Sequence, residues 1–407
     1  MNITIEKIQR ALDRILDSIL YRIYKVYLPY KVCKIRNKQK IRVLFFLTEL
    51  STWKTEELYL LMRKHSRFDV FIGTSHSVPV PEAKAQLESY LKERKYDFVD
   101  LDIGPSYSQL INPDIVFYQK PYDVEVQHRH IAKYHLNSLF CFCTYGFNTI
   151  LEKWSINQPL LYYAWQIYME NSSVQSEFNA IMRKNKKSLV ATGLPMMDSL
   201  TKSKENFPNP WLNNRKKKII YAPHHTIANL HVDGIAYSTF LDYADKILSL
   251  AEKYSDEVQF AFKPHPILYG KLLQIWGKDR TEKYYERWSS LPNAQIETGD
   301  YLGLFKYSDA MIHDCSSFQV EYLYANKPVL FLLRDDQKSD NLSCISKKSF
   351  EMHEKALHAG DIEVFIVNVI NGVDRLKEIR EHYVKKNLFP PNNKTACENI
   401  IDSILGE

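Results

Sequence analysis

Glycine is scarce in this chain: 12 residues in 407. Neither G-x-G-x-x-G nor G-x-x-x-x-G-K-[ST] occurs, which excludes the common glycine-rich phosphate cradles. A phosphate would have to be met by a helix terminus and by side chains. Cysteine is sparse too. The six cysteines include no C-x-x-C pair, so a disulfide framework is excluded and a reducing, cytoplasmic setting is expected. Cys141 and Cys143 alternate in "LFCFCTY", which puts both on one face of a strand as core residues. No apolar run reaches the length of a membrane span and no signal-peptide pattern opens the chain. Long basic blocks are missing as well. A net charge of +6 therefore suits anionic lipid or a phosphorylated ligand, and no nucleic-acid partner is expected.

What is present is ordinary globular material, 45% hydrophobic and 25% charged, in a length that suits two domains. Short β-like runs alternate with helical patterns. They are 41–48, 68–73, 96–100, 114–119, 139–145 and 188–193, and, after a polar break at 201–218, 218–223, 257–264, 294–297, 309–313 and 328–333. Helical periodicity marks 54–65, 81–95 and 238–254. This alternation predicts an α/β fold of βαβ units with two parallel sheets and a ligand crevice at the carboxyl ends of their strands. The expected division is an amphipathic basic segment at 1–40, a Rossmann-like acceptor domain at 41–200, a Rossmann-like nucleotide-donor domain at 217–390 and a terminal helix at 391–407.

The first segment spaces Ile5, Ile8, Leu12, Ile15, Leu16, Ile19, Leu20 and Ile23 at helical intervals and carries Arg22, Lys25, Lys31, Lys34, Arg36, Lys38 and Lys40 near its end. One reading is a helix packed on the first domain. The other is a surface helix holding the protein on the anionic inner face of the cell membrane.

Polar groups concentrate where strands of the second domain end. "YAPHHT" places His224, His225 and Thr226 after one strand, "FKPHP" places Lys263 and His265 after the next, and "HDCSS" places Asp314, Ser316 and Ser317 after a third. These residue types meet anions. Ser316 with Gln319 also reads as a capping box, and Glu321 one turn on reads either as a ribose contact or as an exposed helix residue. His265, fixed between two prolines, suits proton transfer or stabilisation of a departing phosphate; its plain alternative is a structural histidine.

"YAPHHT", "KPHP" and "SDAMIHDCSSFQVEYLYANKPVLFL", preceded by "TGLPMMDSL", resemble the CDP-glycerol glycerophosphotransferase family, which builds teichoic acid and related capsule polymers. The resemblance runs over roughly 190–335 and implies a GT-B fold whose second domain holds CDP. It implies catalytic roles for His265 and Asp314 and nucleotide contacts from Ser316 and Ser317. Two positions depart from the family pattern. His224, His225 and Thr226 replace the usual Thr-aromatic-Arg, and Tyr145-Gly146 stands where a Trp-His-Gly segment carries a basic histidine. The base then falls to His135, with His128, His130 and His224 as alternatives.

The resemblance implies transfer of glycerol phosphate, or a related alditol phosphate, from a CDP-linked donor to a hydroxyl of a lipid-linked or polysaccharide acceptor. No cofactor and no metal are expected. The alternatives are a GT-B glycosyltransferase using a UDP- or CMP-sugar for capsule or O-antigen, and an inactive nucleotide-binding scaffold.

Overall fold

The structure, a computed structural model, describes residues 2–212, 215–227, 238–334 and 341–407, with the helix backbone alone for 2–16. The chain forms two compact units. One is Met1–Asp198 with Pro390–Glu407, the other Ser199–Phe389.

The first unit holds β1 (Ile41–Leu47), β2 (Phe68–Thr74), β3 (Val99–Asp100), β4 (Ile115–Tyr118), β5 (Leu139–Cys143), β6 (Gln166–Met169) and β7 (Leu189–Ala191). All pairings are parallel, in the order β3-β2-β1-β4-β5-β6-β7. The second unit holds β8 (Lys217–Ala222), β9 (Val258–Phe262), β10 (Ala294–Ile296), β11 (Ala310–His313), β12 (Val329–Leu332) and β13 (Glu354–Ala356). It is also parallel, in the order β10-β9-β8-β11-β12-β13. Central strands such as β4, β5 and β9 are buried at every position, as parallel strands covered on both faces require. The helix Phe240–Lys253 buries Ala244, Ile247, Leu248 and Ala251, a row at i, i+3, i+4 and i+7. Strand order reverses direction between β1 and β4 and again between β8 and β11, so each unit has a switch point where ligands of such sheets bind.

Two strands escape the sequence reading. β6 lies inside an aromatic-rich stretch with no turn residue to announce it, and β13 is a three-residue edge strand with a polar sequence. The terminal helix Ala396–Leu405 belongs to the first unit, whose side chains satisfy both its ends. Asp198 accepts from Ala396 N at 2.8 Å and Cys397 N at 2.9 Å, while Arg36 donates to the carbonyls of Ile404 at 2.9 Å and Ser403 at 2.8 Å.

The N-terminal helix spans Asn2–Arg36. Tyr24, Lys31 and Ile35 are buried against the first unit, and Lys31 donates to the Leu136 carbonyl. Part of the expected basic collar therefore faces inward. Another face leaves Ile19, Ile23, Val26, Tyr27 and Tyr30 in solvent, with Val26 83% exposed. Ile5, Ile8, Leu12, Ile15 and Leu16 fall outside the described side chains. Among the described residues, no helix is long and apolar enough to cross a membrane.

Candidate active site

Because β8 lies between β9 and β11, the loops that follow these three strands share one edge of the second unit. Backbone bonds lock the loops together: Lys263 N donates to Tyr221 O at 2.8 Å and His265 N to Pro223 O at 3.2 Å. The result is a cluster of three histidines. Ring centroids are 4.4 Å apart for His224 and His225, 4.2 Å for His225 and His265, and 5.3 Å for His224 and His265. One ring nitrogen of each lies within 4.8 Å of the others.

The neighbours of these rings decide what the cluster can bind. His265 Nδ1 accepts from Ile267 N at 3.2 Å, and His225 Nδ1 accepts from the Lys271 ammonium at 3.1 Å. His224 Nδ1 meets Thr226 Oγ1 at 2.9 Å and Thr226 N at 3.4 Å. A ring nitrogen that accepts carries no proton, so each neutral ring bears its proton on Nε2. Burial and neighbouring positive groups keep the rings neutral. His224 is lowered to about 2 by burial, His225, His265 and Lys271; His225 to about 4 by burial and Lys271; His265 to about 3 by burial, His225, Lys271 and Lys263. A metal-bound histidine donates its second N–H to an acceptor. His225 and His265 face donors there, so the set suits an anion that takes N–H bonds rather than a cation.

Asp314 is fully buried and points inward. Its Oδ1 accepts from His224 N at 2.6 Å, and its Oδ2 accepts from Thr239 N at 2.7 Å and Thr239 Oγ1 at 3.1 Å. Burial raises its carboxyl to about 6 against the pull of these bonds. Its placement is that of a brace for the His224 loop, not of a group touching substrate.

The expected capping box does not form. Ser317 occupies the cap position without a side-chain cap bond, Gln319 is turned to Ser346, and the helix is only Phe318–Glu321 before a 3-10 turn at Tyr322–Ala325. A helix so short has little dipole to offer. Ser316 and Ser317 remain half-buried at the edge, with Ser317 Oγ 3.2 Å from Cys315 Sγ. Glu321 is buried beside the Tyr301 hydroxyl rather than exposed. Lys263 is also buried, its ammonium donating to Gly299 O at 2.8 Å.

Tyr145, Gly146 and His135 belong to the first unit. Tyr145 is exposed just beyond β5, and Gly146 has open space around it. His135 precedes β5, at its amino end. Its Nδ1 bonds Ser108 Oγ at 2.6 Å, its Nε2 bonds Arg129 O at 2.7 Å, and its ring lies 4.3 Å from Tyr107. Both nitrogens are engaged in holding a loop. His130 is buried on Leu101 O, and His128 bonds the Tyr134 hydroxyl. Sequence reasoning missed Lys271 and Thr239. Thr239 precedes the helix Phe240–Lys253 and Lys271 lies in the first turn of the helix Leu268–Ile275, and their direction depends on how those helices leave the sheet.

Residues 154–341 match the family model described as CDP-Glycerol:Poly(glycerophosphate) glycerophosphotransferase. Over that span, somewhat under half of its length, the chain is similar to the family. The matched span contains all three loops of the histidine cluster and the Asp314 brace. Among solved structures, a variant of the wall teichoic acid polymerase TagF is similar over 99% of this chain and 97% of its own, at 13% identity and TM-score 0.61. TagF soaked with CDPG gives 14% identity, the same coverages and TM-score 0.60. A putative UDP-N-acetylglucosamine 2-epimerase from Listeria monocytogenes aligns over 90% of this chain and 96% of its own, at 16% identity and TM-score 0.60. At such identities the likeness is one of fold, and the fold is of the GT-B type. No curated protein sequence matches the chain. Over the matched span the chain is glycerophosphotransferase-like and carries a histidine pair, His224 and His225, after β8.

Proposed function

We propose that this chain transfers glycerol phosphate, or a related alditol phosphate, from a CDP-linked donor to a hydroxyl of a lipid-linked or polysaccharide acceptor in cell-surface polymer synthesis. The observation that carries this reading is the neutral trihistidine cluster, inside the span matched by the family model. Nε2–H donors gathered at a strand edge suit the oxygens of a nucleotide diphosphate. As the bridging P–O bond breaks, they stabilise the charge that gathers on departing CMP. Lys271 adds positive potential behind His225, and the Ser316 and Ser317 hydroxyls add neutral donors. With His265 lowered to about 3, its part is that of an N–H donor rather than an acid that protonates the leaving group.

The exposed row Ile19, Ile23, Val26, Tyr27 and Tyr30, beside the exposed cations Arg22 and Lys34, supports peripheral attachment to an anionic membrane surface where a lipid-linked acceptor would reside.

The deciding experiment is a thermal-shift comparison of CDP, UDP, GDP and CMP followed by turnover of CDP-glycerol. A ligand selective for the folded state raises the melting temperature. Selective stabilisation by CDP with turnover is the expected result. Preference for UDP would point to a sugar-nucleotide enzyme, and CDP binding without any turnover to an inactive scaffold.

A further inference from the structure

β4 and β5 are neighbours in the first unit, and the residues that follow them gather an aromatic group at their carboxyl ends. Tyr122 follows β4, Tyr145 follows β5, and Trp154 lies in the short helix Lys153–Ile156 beyond it. Trp154 and Tyr122 stack, with ring centroids 5.5 Å apart and planes 24° from parallel. Tyr122 covers one face of the indole, yet Trp154 is still 54% exposed, so its other face is open. Tyr145 is 40% exposed, and the adjoining Gly146 has open space around it. Large aromatic rings gain most from being covered. An indole braced by a partner ring and bare on its far side suits a ligand that stacks.

Charged groups stand beside the rings. Lys120 pairs with Glu49 and lies 2.8 Å from Glu125 Oε2, and all three side chains are half-buried. Burial raises the Tyr145 hydroxyl, while Lys120 lowers it and Glu125 and Glu49 raise it further. The ring is therefore within electrostatic reach of all three. Burial also raises Tyr122, with Tyr145 and Glu125 adding to it. Flat aromatic faces are thus joined to a rim of donors and acceptors.

That combination selects among ligands. Two carboxylates against one ammonium leave an excess of negative charge, which disfavours a phosphate and the nucleotide carrying it. A glycerol chain has hydroxyls but no flat apolar face. A pyranose ring has both. Its axial C–H groups form an apolar face that packs on the negative face of an aromatic ring. Its equatorial hydroxyls project round the edge, each able to donate and accept.

We propose that Trp154, Tyr122 and Tyr145 form a stacking platform for a sugar ring of a saccharide acceptor, with Lys120 and Glu125 at its hydroxyl rim. The role as acceptor rests on the transfer reading above. The platform itself lies wholly within the first unit. It narrows that reading, because the acceptor is then held by a saccharide ring rather than by a free polyol chain.

The test uses the full chain and saturation-transfer NMR without nucleotide, with methyl β-D-glucopyranoside, glycerol and cytidine as probes. The glucoside's axial ring hydrogens should saturate most strongly on one face, and glycerol should show little transfer. Trp154→Ala should lose the glucoside contact without lowering the melting temperature, since the side chain is more than half exposed. Trp154→Phe should keep part of the contact, because a ring still lies against Tyr122. Stabilisation by CDP should be the same in Trp154→Ala as in wild type. No glucoside contact in wild type, or contact that survives Trp154→Ala, overturns the assignment. So does glycerol or cytidine contact that equals the glucoside's. Failure of wild type to turn over CDP-glycerol sinks the transfer reading, and the NMR result still decides the platform.

Discussion

Asp314 Oδ1 accepts a hydrogen bond from the backbone N–H of His224 at 2.6 Å, so the carboxylate expected to act on substrate instead fixes the loop that carries a histidine. The same carboxylate holds Thr239 at the start of the helix Phe240–Lys253. Asp314→Ala leaves two buried N–H groups without an acceptor. Stability should fall by roughly 2–4 kcal/mol in urea melts, on the scale of about 1–3 kcal/mol per orphaned group. CDP affinity, read by calorimetry on the folded fraction, should fall with it. Retained affinity would mean that the His224 loop is held by something else.

The histidines should make donor binding insensitive to pH. His224, His225 and His265 are lowered to about 2, 4 and 3, so all three are neutral throughout pH 6–8. The diphosphate of CDP-glycerol, esterified at both ends, does not titrate in that window. Its Kd should be flat from pH 8 to about pH 7, above the range in which Asp314, raised to about 6, takes up a proton. A rise in affinity as pH falls would show that imidazolium, not neutral imidazole, meets the phosphates.

Stability has the opposite sensitivity. Unfolded histidines take protons near pH 6.5, before the folded rings do. The stability contributed by His224, His225, His265 and His353, the last lowered to about 3 by burial, is present above pH 6.5 and lost as pH falls towards about 4. Asp314, raised to about 6, acts the other way, since its protonation favours the folded state below that pH. Burial lowers His130, His135 and His313 as well and raises Asp123, Glu170, Asp198 and Glu354 beside Asp314, so seven rings stand against five carboxyls and urea midpoints should drop between pH 7 and pH 5. A midpoint that rises over this range would contradict the burial assigned to the rings.

His265→Ala should cut turnover about a hundredfold, the scale for losing one donor to a developing charge. His265→Gln can still present an N–H and should recover part of that loss. If glutamine is no better than alanine, the imidazole acts in some way other than by donating.

Replacing both Ser316 and Ser317 by Ala should barely affect stability, because neither side chain makes a cap bond to the helix Phe318–Glu321. Donor affinity should weaken by about 0.5–1.5 kcal/mol for each neutral hydrogen bond lost. Lowered stability with unchanged affinity would restore the capping role.

For the N-terminal helix, Ile23→Glu with Val26→Glu should leave the melting temperature unchanged and abolish binding to anionic vesicles. Removing the helix through Arg36 should destabilise the first unit, since Tyr24, Ile35 and Arg36 pack or bond there. Vesicle binding that survives the double glutamate variant would exclude this face as the contact.

The sequence by itself determined the alternation of strands and helices, the polar loops after β8, β9 and β11, and the family likeness over them. These are local properties: hydrophobic runs, periodicity and turn residues are visible without knowing what lies across the fold. Even so, the polar β13 and the aromatic-masked β6 were hidden, because pairing with neighbours rather than local pattern makes them strands. Only the tertiary structure decided what each polar side chain does. Asp314 faces Thr239, 75 positions away in the chain, and His135 is held by Ser108 and Arg129. The proton positions on the histidines follow from Lys271, Ile267 and Thr226 beside them.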